Sequence, residues 1–452
     1  MPLSLLTVIL LGTAAMSQAG SGHSGFFHAE QRDGRWWLID PDGKPFISKG
    51  VDTIQFAQDC ILGTRVSPYG ETNKRKYGSP EAWRKAIALR LWNWGFNTLG
   101  AWSDVKLAEL DINGRHLAYT VNLDFGSRAV SEMMKGKQAW LHGVFPDVFD
   151  PNFERIARRI AQERCVPRKD DRHLLGWFTD NELRWGADWR GKEELLTMFL
   201  NLPAGAPGRA AAIAALRERH ADIAKFNAVW KTGFASWEDL AKAAEIRQPF
   251  ENRKRAAQNA EINREDGGAV AAFGQDCDLF SGRVAERYFQ VTGGAIRAAD
   301  PNHMNFGCRF AYVPAKPIVD VAGRSLDGVS FNCYQKDPRE IIQKYSVFGK
   351  PLIIGEFSFR GEDSGLPNTK GAGPRVKTQV DRAAAFENYV RMALSMPNLV
   401  GYHWFEHADE PKEGRFDGEN SSYGLVNIHD EPYEELTQRM KKINAQAEAL
   451  HR

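Results

Sequence analysis

The 452-residue sequence predicts an α/β fold, a (β/α)8 TIM barrel with a helical insertion between strands four and five and a short N-terminal β-hairpin. Eight apolar, strand-like runs alternate with helix-like segments along the chain. Such runs are typical of parallel strands that are buried on both faces. Most of them end in a polar or aromatic residue, and two carry a glutamate, Glu182 and Glu356. In this fold, side chains at the carboxyl ends of the strands line the active site.

The strands and helices of the repeat are predicted in chain order. The strands are Phe46–Asp52, Phe96–Ser103, Tyr119–Phe125, Leu174–Glu182, Met304–Phe310, Gly328–Gln335, Pro351–Phe359 and Leu399–His407. The helix-like segments between them include Ser79–Trp94, Asn152–Glu163, Asp278–Ala299, Pro338–Phe348 and Val376–Ser395. Capping residues followed by proline, as in Ser79-Pro80 and Asp150-Pro151, mark helix starts. Strand and helix alternating in this way are the signature of the barrel.

Two segments fall outside the repeat. Residues 20–45 contain apolar runs around Asp40-Pro41-Asp42-Gly43, which predicts a β-hairpin because proline and glycine supply the turn dihedrals. The catalytic barrel is then assigned to residues 46–452. The connection between strands four and five is too long for one helix and is rich in charged, helix-prone stretches such as Arg209–Trp230 and Ser236–Asn263. We therefore expect a helical insertion at about residues 186–277.

The N-terminal residues 1–19 resemble a signal peptide. Leu5–Leu11 is a short apolar run, and Ser17-Gln18-Ala19 offers small residues where a signal peptidase cleaves. The run is shorter than the roughly 20 residues that span a bilayer, and no later segment qualifies. We expect cleavage after Ala19, no membrane span, and a secreted or periplasmic protein.

Composition narrows the class of partner. The formal net charge of +2 argues against a nucleic-acid binder, which needs a concentrated basic surface. The 13 Trp and 11 Tyr provide flat, amphipathic rings that suit the faces of sugars. The five cysteines lack metal-ligand spacing, and no HExxH, GxSxG or phosphate-binding loop has a supporting context. We therefore expect a poly- or oligosaccharide partner, with no metal and no cofactor.

Glu182 and Glu356 are the candidate catalytic residues. Cleavage of a glycosidic bond requires one carboxylic acid that protonates the leaving oxygen and one carboxylate that meets the anomeric carbon. Strands four and seven lie on opposite sides of an eight-stranded barrel, so their ends can face each other across the axis. The acid role needs a protonated Glu182, which an apolar surround such as Trp177 or Trp185 would favour.

Further side chains at strand ends are candidate substrate-binding residues. Asn181 is placed to bond a sugar 2-hydroxyl, and Tyr334 to donate to Glu356 and keep it ionised. For Trp404, sugar stacking and core packing are both open. The remaining candidates are Asp52, Trp102, Asp124, Trp185, Arg309, Gln335 and His407.

The motifs GWFTDNELRWG, GEFSFRG and GYHWFEHAD resemble the strand-four, strand-seven and strand-eight motifs of the clan A retaining glycoside hydrolases. Within that clan, the chain is similar to β-agarases of glycoside hydrolase family 50 and, more distantly, to family 42 β-galactosidases. GRWWLIDPDGKPFISKGVD, NTLGAWSD, FNAVWKTGFASWEDL and ENSSYGLVN extend the resemblance over nearly the whole mature chain.

The resemblance implies a retaining, double-displacement hydrolase of β-galactosidic linkages in agarose-type polysaccharides or their oligosaccharides. It makes Glu182 the acid/base, Glu356 the nucleophile and Asn181 the sugar-binding amide. Family 50 agarases usually carry an N-terminal β-sandwich, whereas only a hairpin precedes the barrel here. The alternatives are therefore a β-galactosidase or a hydrolase of another polysaccharide, and, from another class, a non-catalytic carbohydrate-binding barrel.

Overall fold

The computed structural model describes residues 25–251, 267–347 and 349–452. The signal peptide predicted at residues 1–19 lies outside these ranges. The first described elements are strands β1 (His28–Arg32), β2 (Arg35–Ile39) and β3 (Pro45–Phe46), which form an antiparallel sheet. The segment predicted as one hairpin thus contains three strands. The turn from β2 to β3 is held by Asp40, whose Oδ1 accepts from the backbone N–H groups of Asp42 and Lys44.

An eight-stranded parallel sheet forms the centre of the molecule. Its strands are β4 (Ser48–Val51), β5 (Thr98–Leu99), β6 (Ala118–Asn122), β7 (Leu174–Phe178), β8 (Met304–Asn305), β9 (Val329–Asn332), β10 (Leu352–Phe357) and β13 (Leu399–Trp404). The spatial order is β8-β7-β6-β5-β4-β13-β10-β9. The sheet curls so that its outer strands approach each other: Phe310 N donates to Ser330 O at 3.2 Å and Asn332 N to Phe310 O at 2.8 Å. Between β10 and β13, β11 (Arg360–Gly361) pairs with β12 (Arg375–Val376).

Each of the eight predicted strands overlaps one strand of this sheet, and the observed strands stop earlier at their carboxyl ends. β7 ends at Phe178, four residues before Glu182, which has a φ of 49°. Such a backbone angle is incompatible with a strand. Trp102, Asp124 and Arg309, beyond other strand ends, also have positive φ values. The chain therefore leaves the sheet before it reaches these side chains, and loops orient them.

The helices before β7 are α1 (Pro68–Tyr77), α2 (Pro80–Asn93), α3 (Phe125–Met133), α4 (Ala139–His142) and α5 (Pro151–Arg164). The described residues between β7 and β8 contain α6 (Leu195–Leu200), α7 (Pro207–His220), α8 (Ile223–Trp230), α9 (Trp237–Lys242) and α10 (Gly267–Ala299). The last are α11 (Lys316–Ser325), α12 (Arg339–Ser346), α13 (Gln379–Leu394), α14 (Glu434–Asn444) and α15 (Ala447–Leu450). Asp222, the N-cap of α8, separates it from α7 within the stretch Arg209–Trp230.

α10 fixes the loop that carries Glu182. The Tyr288 hydroxyl on this helix donates to Asp180 Oδ2 at 2.6 Å and lies 2.9 Å from Thr179 Oγ1. Trp185 stacks on Phe289 of the same helix, with ring centroids 5.8 Å apart. The chain on both sides of Glu182 is therefore anchored to a long buried helix.

Within residues 25–251, 267–347 and 349–452, no helix is long and apolar enough to cross a bilayer. Across the same residues, no group of three or more His, Cys, Asp and Glu side chains is arranged to hold a metal ion. All five cysteines are described, none of them forms a disulfide, and only Cys60 is exposed.

Candidate active site

Glu182 and Glu356 line the same cleft at the carboxyl edge of the parallel sheet. Two adjoining cavities, of about 380 and 570 Å³, share Trp140, Glu182, Glu356, Phe405 and Arg415 as lining residues. The two glutamates are 9% and 5% exposed. The cleft therefore extends to both sides of a buried glutamate pair, which is the space a chain of linked sugars requires.

Neutral donors surround Glu182. The indole Nε1 of Trp140 donates to its Oε2 at 2.8 Å, and the side-chain amide of Asn332 donates to its Oε1 at 2.9 Å. Its backbone is held as well, because Arg190 Nη1 donates to Glu182 O at 2.9 Å and Glu182 N donates to Arg309 O at 3.1 Å. The carboxyl group is thus fixed in position without a cation bonded to it.

Glu356 is held by a hydroxyl group and a cation. The Tyr334 hydroxyl donates to its Oε2 at 2.7 Å, and Arg309 Nη2 lies 3.0 Å from its Oε1. Burial raises the pKa of Glu356 to about 8, and the charges of Glu182 and Asp52 act in the same direction. Arg309 and the Tyr334 hydrogen bond oppose this shift, because both favour the ionised form.

Different residues line the cleft on the two sides of the glutamate pair. The smaller cavity is lined by polar groups that include Gln55, Asp124 and Asn181, and by the exposed ring of Phe416. The larger cavity runs along Tyr334, Gln335 and Trp189, whose side chain is 62% exposed. Each side therefore combines hydrogen-bonding groups with an exposed ring, as carbohydrate sites do.

Arg415, which lines both cavities, is the centre of a carboxylate cluster. Its guanidinium lies 3.0 Å from Glu410, 2.9 Å from Asp417 and 3.0 Å from Glu419. Arg415 is 9% exposed, and the surrounding anions raise its pKa well above the usual range. These ion pairs hold the loop after β13 together beside the cleft.

Seven of the predicted site residues line the cleft. They are Trp102, Asp124, Asn181, Glu182, Tyr334, Gln335 and Glu356. The hydrogen bond predicted from Tyr334 to Glu356 is present. Asn181 lines the smaller cavity, and its Oδ1 lies 3.3 Å from the Asn332 amide.

Three predicted substrate-binding residues lie elsewhere. Trp404 is fully buried and its indole donates to Tyr423 O at 2.8 Å, so core packing is the correct alternative for this residue. Trp185 is 3% exposed and packs on α10, so it neither binds substrate nor surrounds the Glu182 carboxyl. His407 is fully buried against the Tyr69 hydroxyl, 3.1 Å away, and burial lowers its pKa to about 3.

Asp52 and Arg309 also fail to reach the cleft surface. Both are fully buried, and they form an ion pair of 2.7 Å behind Glu356. Burial raises the pKa of Asp52 to about 7, whereas Arg309 and the Ala101 N–H group lower it. Their predicted role as direct substrate ligands is therefore wrong, because neither presents an atom to the cavities.

The sequence reasoning missed Trp140, Asn332 and Arg415. Asn332 is the last residue of β9, so the strand-end rule applied to its neighbours would have found it. Trp140 and Arg415 belong to α4 and to the loop after β13. No local pattern marks them, because the path of the chain between distant strands brings them to the cleft.

A parallel sheet with two glutamates facing one cleft at its carboxyl edge is the arrangement that glycoside hydrolases use. No family model matches the chain. β-Agarase B of Vibrio sp. (strain JT0107) is 29% identical over 488 residues, an alignment covering 93% of this chain and 48% of that protein. The chain thus spans about half the length of this curated relative.

Solved structures of similar proteins point to the same group of relatives. PfGH50B matches with a TM-score of 0.76 at 25% identity, covering 96% of this chain and 68% of that chain. The agarase AgWH50C matches with a TM-score of 0.73 at 26% identity, covering 95% of this chain and 66% of that chain. These relatives confirm the resemblance to family 50 β-agarases that the sequence motifs predicted.

Proposed function

We propose that this protein is a retaining glycoside hydrolase that cleaves β-galactosidic linkages in agarose-type polysaccharides or their oligosaccharides. The observation that carries the proposal is the pair Glu182 and Glu356, which share one cleft and have different polar partners. Glu182 is bonded by neutral donors and Glu356 faces a guanidinium. Carboxyl groups in unlike environments divide the acid and nucleophile roles between them.

Glu182 is the general acid/base. In the first step it gives its proton to the glycosidic oxygen, so the leaving sugar departs as an alcohol. In the second step it takes a proton from the incoming water. The Trp140 indole and the Asn332 amide hold its carboxyl in place through this exchange without contributing a cation. The pair must carry one proton in total for this division of roles.

Glu356 is the nucleophile. Its ionised carboxylate attacks the anomeric carbon, the bond to the leaving oxygen breaks, and a covalent glycosyl-enzyme forms. Water then attacks the same carbon, releases Glu356 as a carboxylate and restores the original anomeric configuration. Arg309 and the Tyr334 hydroxyl stabilise the ionised form before attack.

Asn181 is the amide that bonds the sugar 2-hydroxyl in the glycone site. Such a contact strengthens in the oxocarbenium-like transition state. Trp102, Asp124 and Gln335 are the further cleft-lining polar and aromatic groups that we assign to substrate binding. The names of the relatives support an agarose-type substrate, since β-agarase B and AgWH50C are agarases.

The proposal also includes a closed barrel, a helical insertion and export of the protein. The hydrogen bonds between Phe310 and the β9 residues Ser330 and Asn332 support closure of the sheet into a (β/α)8 barrel. The helices α6 to α9 support the helical insertion that we propose between strands four and five. Export through the N-terminal signal segment would deliver the enzyme to an extracellular polysaccharide.

The test is activity on agaro-oligosaccharides combined with substitution of each glutamate. Glu356→Gln should abolish turnover while binding of the oligosaccharide survives. Glu182→Ala should regain activity with azide on substrates that have good leaving groups, giving a glycosyl azide of retained configuration. The anomeric configuration of the first product, followed by NMR, should match that of the substrate.

Each alternative has its own outcome in this experiment. Full activity of Glu356→Gln would reject the assigned nucleophile, and an inverted first product would reject the retaining mechanism. Cleavage of simple β-galactosides, porphyran or carrageenan oligosaccharides in preference to agarose would change the substrate. Oligosaccharide binding by the wild type without any turnover would indicate a carbohydrate-binding barrel.

A further inference from the structure

Arg309 connects two carboxylates that belong to different strands. Its Nη2 lies 2.7 Å from Asp52 Oδ2 and 3.0 Å from Glu356 Oε1, and it donates to Gly355 O at 2.7 Å. Arg309 and Asp52 are fully buried and Glu356 is 5% exposed. One guanidinium is therefore the counter-ion of two carboxylates, in a site with little water to screen their charges.

Two glycines make room for this arrangement. A Cβ atom on Gly355 would lie 2.7 Å from Arg309 Nε, and one on Gly100 would overlap Asp52 Oδ1. The Trp102 ring lies 4.6 Å from the Arg309 guanidinium carbon and the Phe178 ring 5.3 Å from it. The guanidinium is thus held between aromatic rings in a space that any side chain on either glycine would fill.

A backbone donor fixes Asp52, and a histidine ring lies near it without a hydrogen bond. The Ala101 N–H donates to its Oδ1 at 2.8 Å, and His403 Nδ1 lies 3.8 Å from the same atom. Burial lowers the pKa of His403 to about 3, so this ring stays neutral at working pH. Arg309 is therefore the cation that faces Asp52.

We propose that Asp52 is a positioning residue for Glu356 and that it acts through Arg309. Asp52 orients the Arg309 guanidinium toward Glu356 and partly neutralises the positive charge of Arg309. Glu356 loses its own charge as the bond to the anomeric carbon forms, so a guanidinium paired with Glu356 alone would hold back the attack. This inference rests on the proposed hydrolase function.

The charged and titratable groups around Glu356 set the expected direction. They are Arg309, Glu182, Asp52 and Tyr334, and Asp124 lies within the field of Arg309. Asp52→Asn removes an anion whose charge raises the pKa of Glu356, so that pKa should fall. Gly355→Ala leaves every charge in place but displaces Arg309, and its Cβ also lies 2.9 Å from Asn332 Oδ1. Because Arg309 lowers the pKa of Glu356, that pKa should rise in this variant.

The experiment compares Asp52→Asn and Gly355→Ala by the pH dependence of kcat/KM on an agaro-oligosaccharide. The acidic limb reports ionisation of Glu356, and we expect it about one pH unit lower in Asp52→Asn and higher in Gly355→Ala. We expect kcat of Asp52→Asn to fall at least about tenfold, since misplaced catalytic groups cost up to about 100-fold. Asp430→Asn is the matched control, because Asp430 is a buried partner of Arg90 and none of its hydrogen-bond partners lines the cleft.

A second readout does not need activity. NMR of protein labelled with ¹³C at the glutamate side-chain carboxyl carbons, with the Glu356 signal assigned from Glu356→Gln, gives the titration midpoint directly. Opposite shifts in the two variants, with none in Asp430→Asn, support the positioning role. Unchanged midpoints in folded Asp52→Asn and Gly355→Ala would overturn it. A wild type that titrates as expected but cleaves no glycoside would refute the proposed function and leave the Asp52–Arg309–Glu356 coupling standing.

Discussion

The side-chain amide of Asn332 donates a 2.9 Å hydrogen bond to Oε1 of Glu182, and Asn332 itself pairs with Glu356 in the parallel sheet. The residue that holds the proposed acid/base, Glu182, therefore belongs to the strand beside the one that carries the proposed nucleophile, Glu356. Through this hydrogen bond the carboxyl group of Glu182, which lies on the loop after β7, is tied to the sheet that carries Glu356. A side chain fixed by a strand residue keeps its geometry better than one left to a loop alone.

Removing the Asn332 amide should affect proton donation more than nucleophilic attack. In Asn332→Ala, Glu182 keeps the Trp140 hydrogen bond and loses the other, so its carboxyl becomes mobile. We expect kcat/KM on agaro-oligosaccharides to fall by roughly 10- to 100-fold, a part of what general acid catalysis contributes. Aryl galactosides with good leaving groups need little protonation and are the internal control. An equal loss on both substrate types would contradict a role through Glu182.

The Tyr334 hydroxyl should set the pH dependence of the first step. A hydrogen bond to a charged group is worth about 1.5–3 kcal/mol, and about 1.4 kcal/mol equals one pKa unit. Tyr334→Phe removes a group that lowers the pKa of Glu356, so that pKa should rise by roughly one unit. Since Glu356 attacks in its ionised form, the acidic limb of kcat/KM moves to higher pH by the same amount.

Tyr312→Phe is the matched control for this measurement. The Tyr312 hydroxyl is buried and has no hydrogen-bond partner in the described part of the chain. Its removal should leave the acidic limb where it is. A Tyr334→Phe profile that overlays the wild type would mean that the hydroxyl does not act on the ionisation of Glu356.

The exposed rings at the two sides of the cleft should bind sugars distant from the cleaved bond. Trp189 and Phe416 are 62% and 58% exposed and line the larger and smaller cavities. Loss of one such ring contact costs about 0.5–1.5 kcal/mol, or roughly 2- to 12-fold in KM. We expect this rise in Trp189→Ala and Phe416→Ala for long agaro-oligosaccharides, with the shortest cleaved substrate unaffected by at least one of them. Val380→Ala, also at an exposed apolar position, should behave as the wild type.

Trp404 should matter for stability and not for substrate binding. Trp404→Phe removes the indole that donates to Tyr423 O and leaves a cavity against Phe357 and Phe386. We expect a loss of about 2–4 kcal/mol in the free energy of unfolding, measured with denaturant. KM should stay within about twofold of the wild type, an amount below 0.5 kcal/mol. A large rise in KM with unchanged stability would return Trp404 to the substrate site.

The eight strands could be predicted because a parallel strand buried on both faces leaves a continuous apolar run in the sequence. Their ends could not be placed as well, since Glu182 and Arg309 leave the sheet through positive φ values that no composition marks. A similar limit explains why the sequence could not decide between core packing and sugar stacking for Trp404. When both faces of a strand are apolar, alternation does not tell which face a ring occupies.

Side chains that depend on tertiary packing were also beyond the sequence. Asp52 and Arg309 follow strands β4 and β8, which are far apart in the chain, so their ion pair behind Glu356 follows only from the curling of the sheet. Trp140 reaches Glu182 from a four-residue helix after β6, a position set by the path of the loop. Asn332, by contrast, is the last residue of its strand, so its position at the cleft could have been predicted from the sequence.

The shared guanidinium has a consequence for engineering. When Glu356 is replaced by glycine or serine, Arg309 keeps Asp52 as its counter-ion, so the vacated space holds no unbalanced charge. That space suits the departing halide of an α-galactosyl fluoride, while Glu182 remains in place to activate an acceptor hydroxyl. With the roles proposed above, the chain is therefore a natural starting point for a glycosynthase, a catalyst that would assemble galactan oligosaccharides without degrading them.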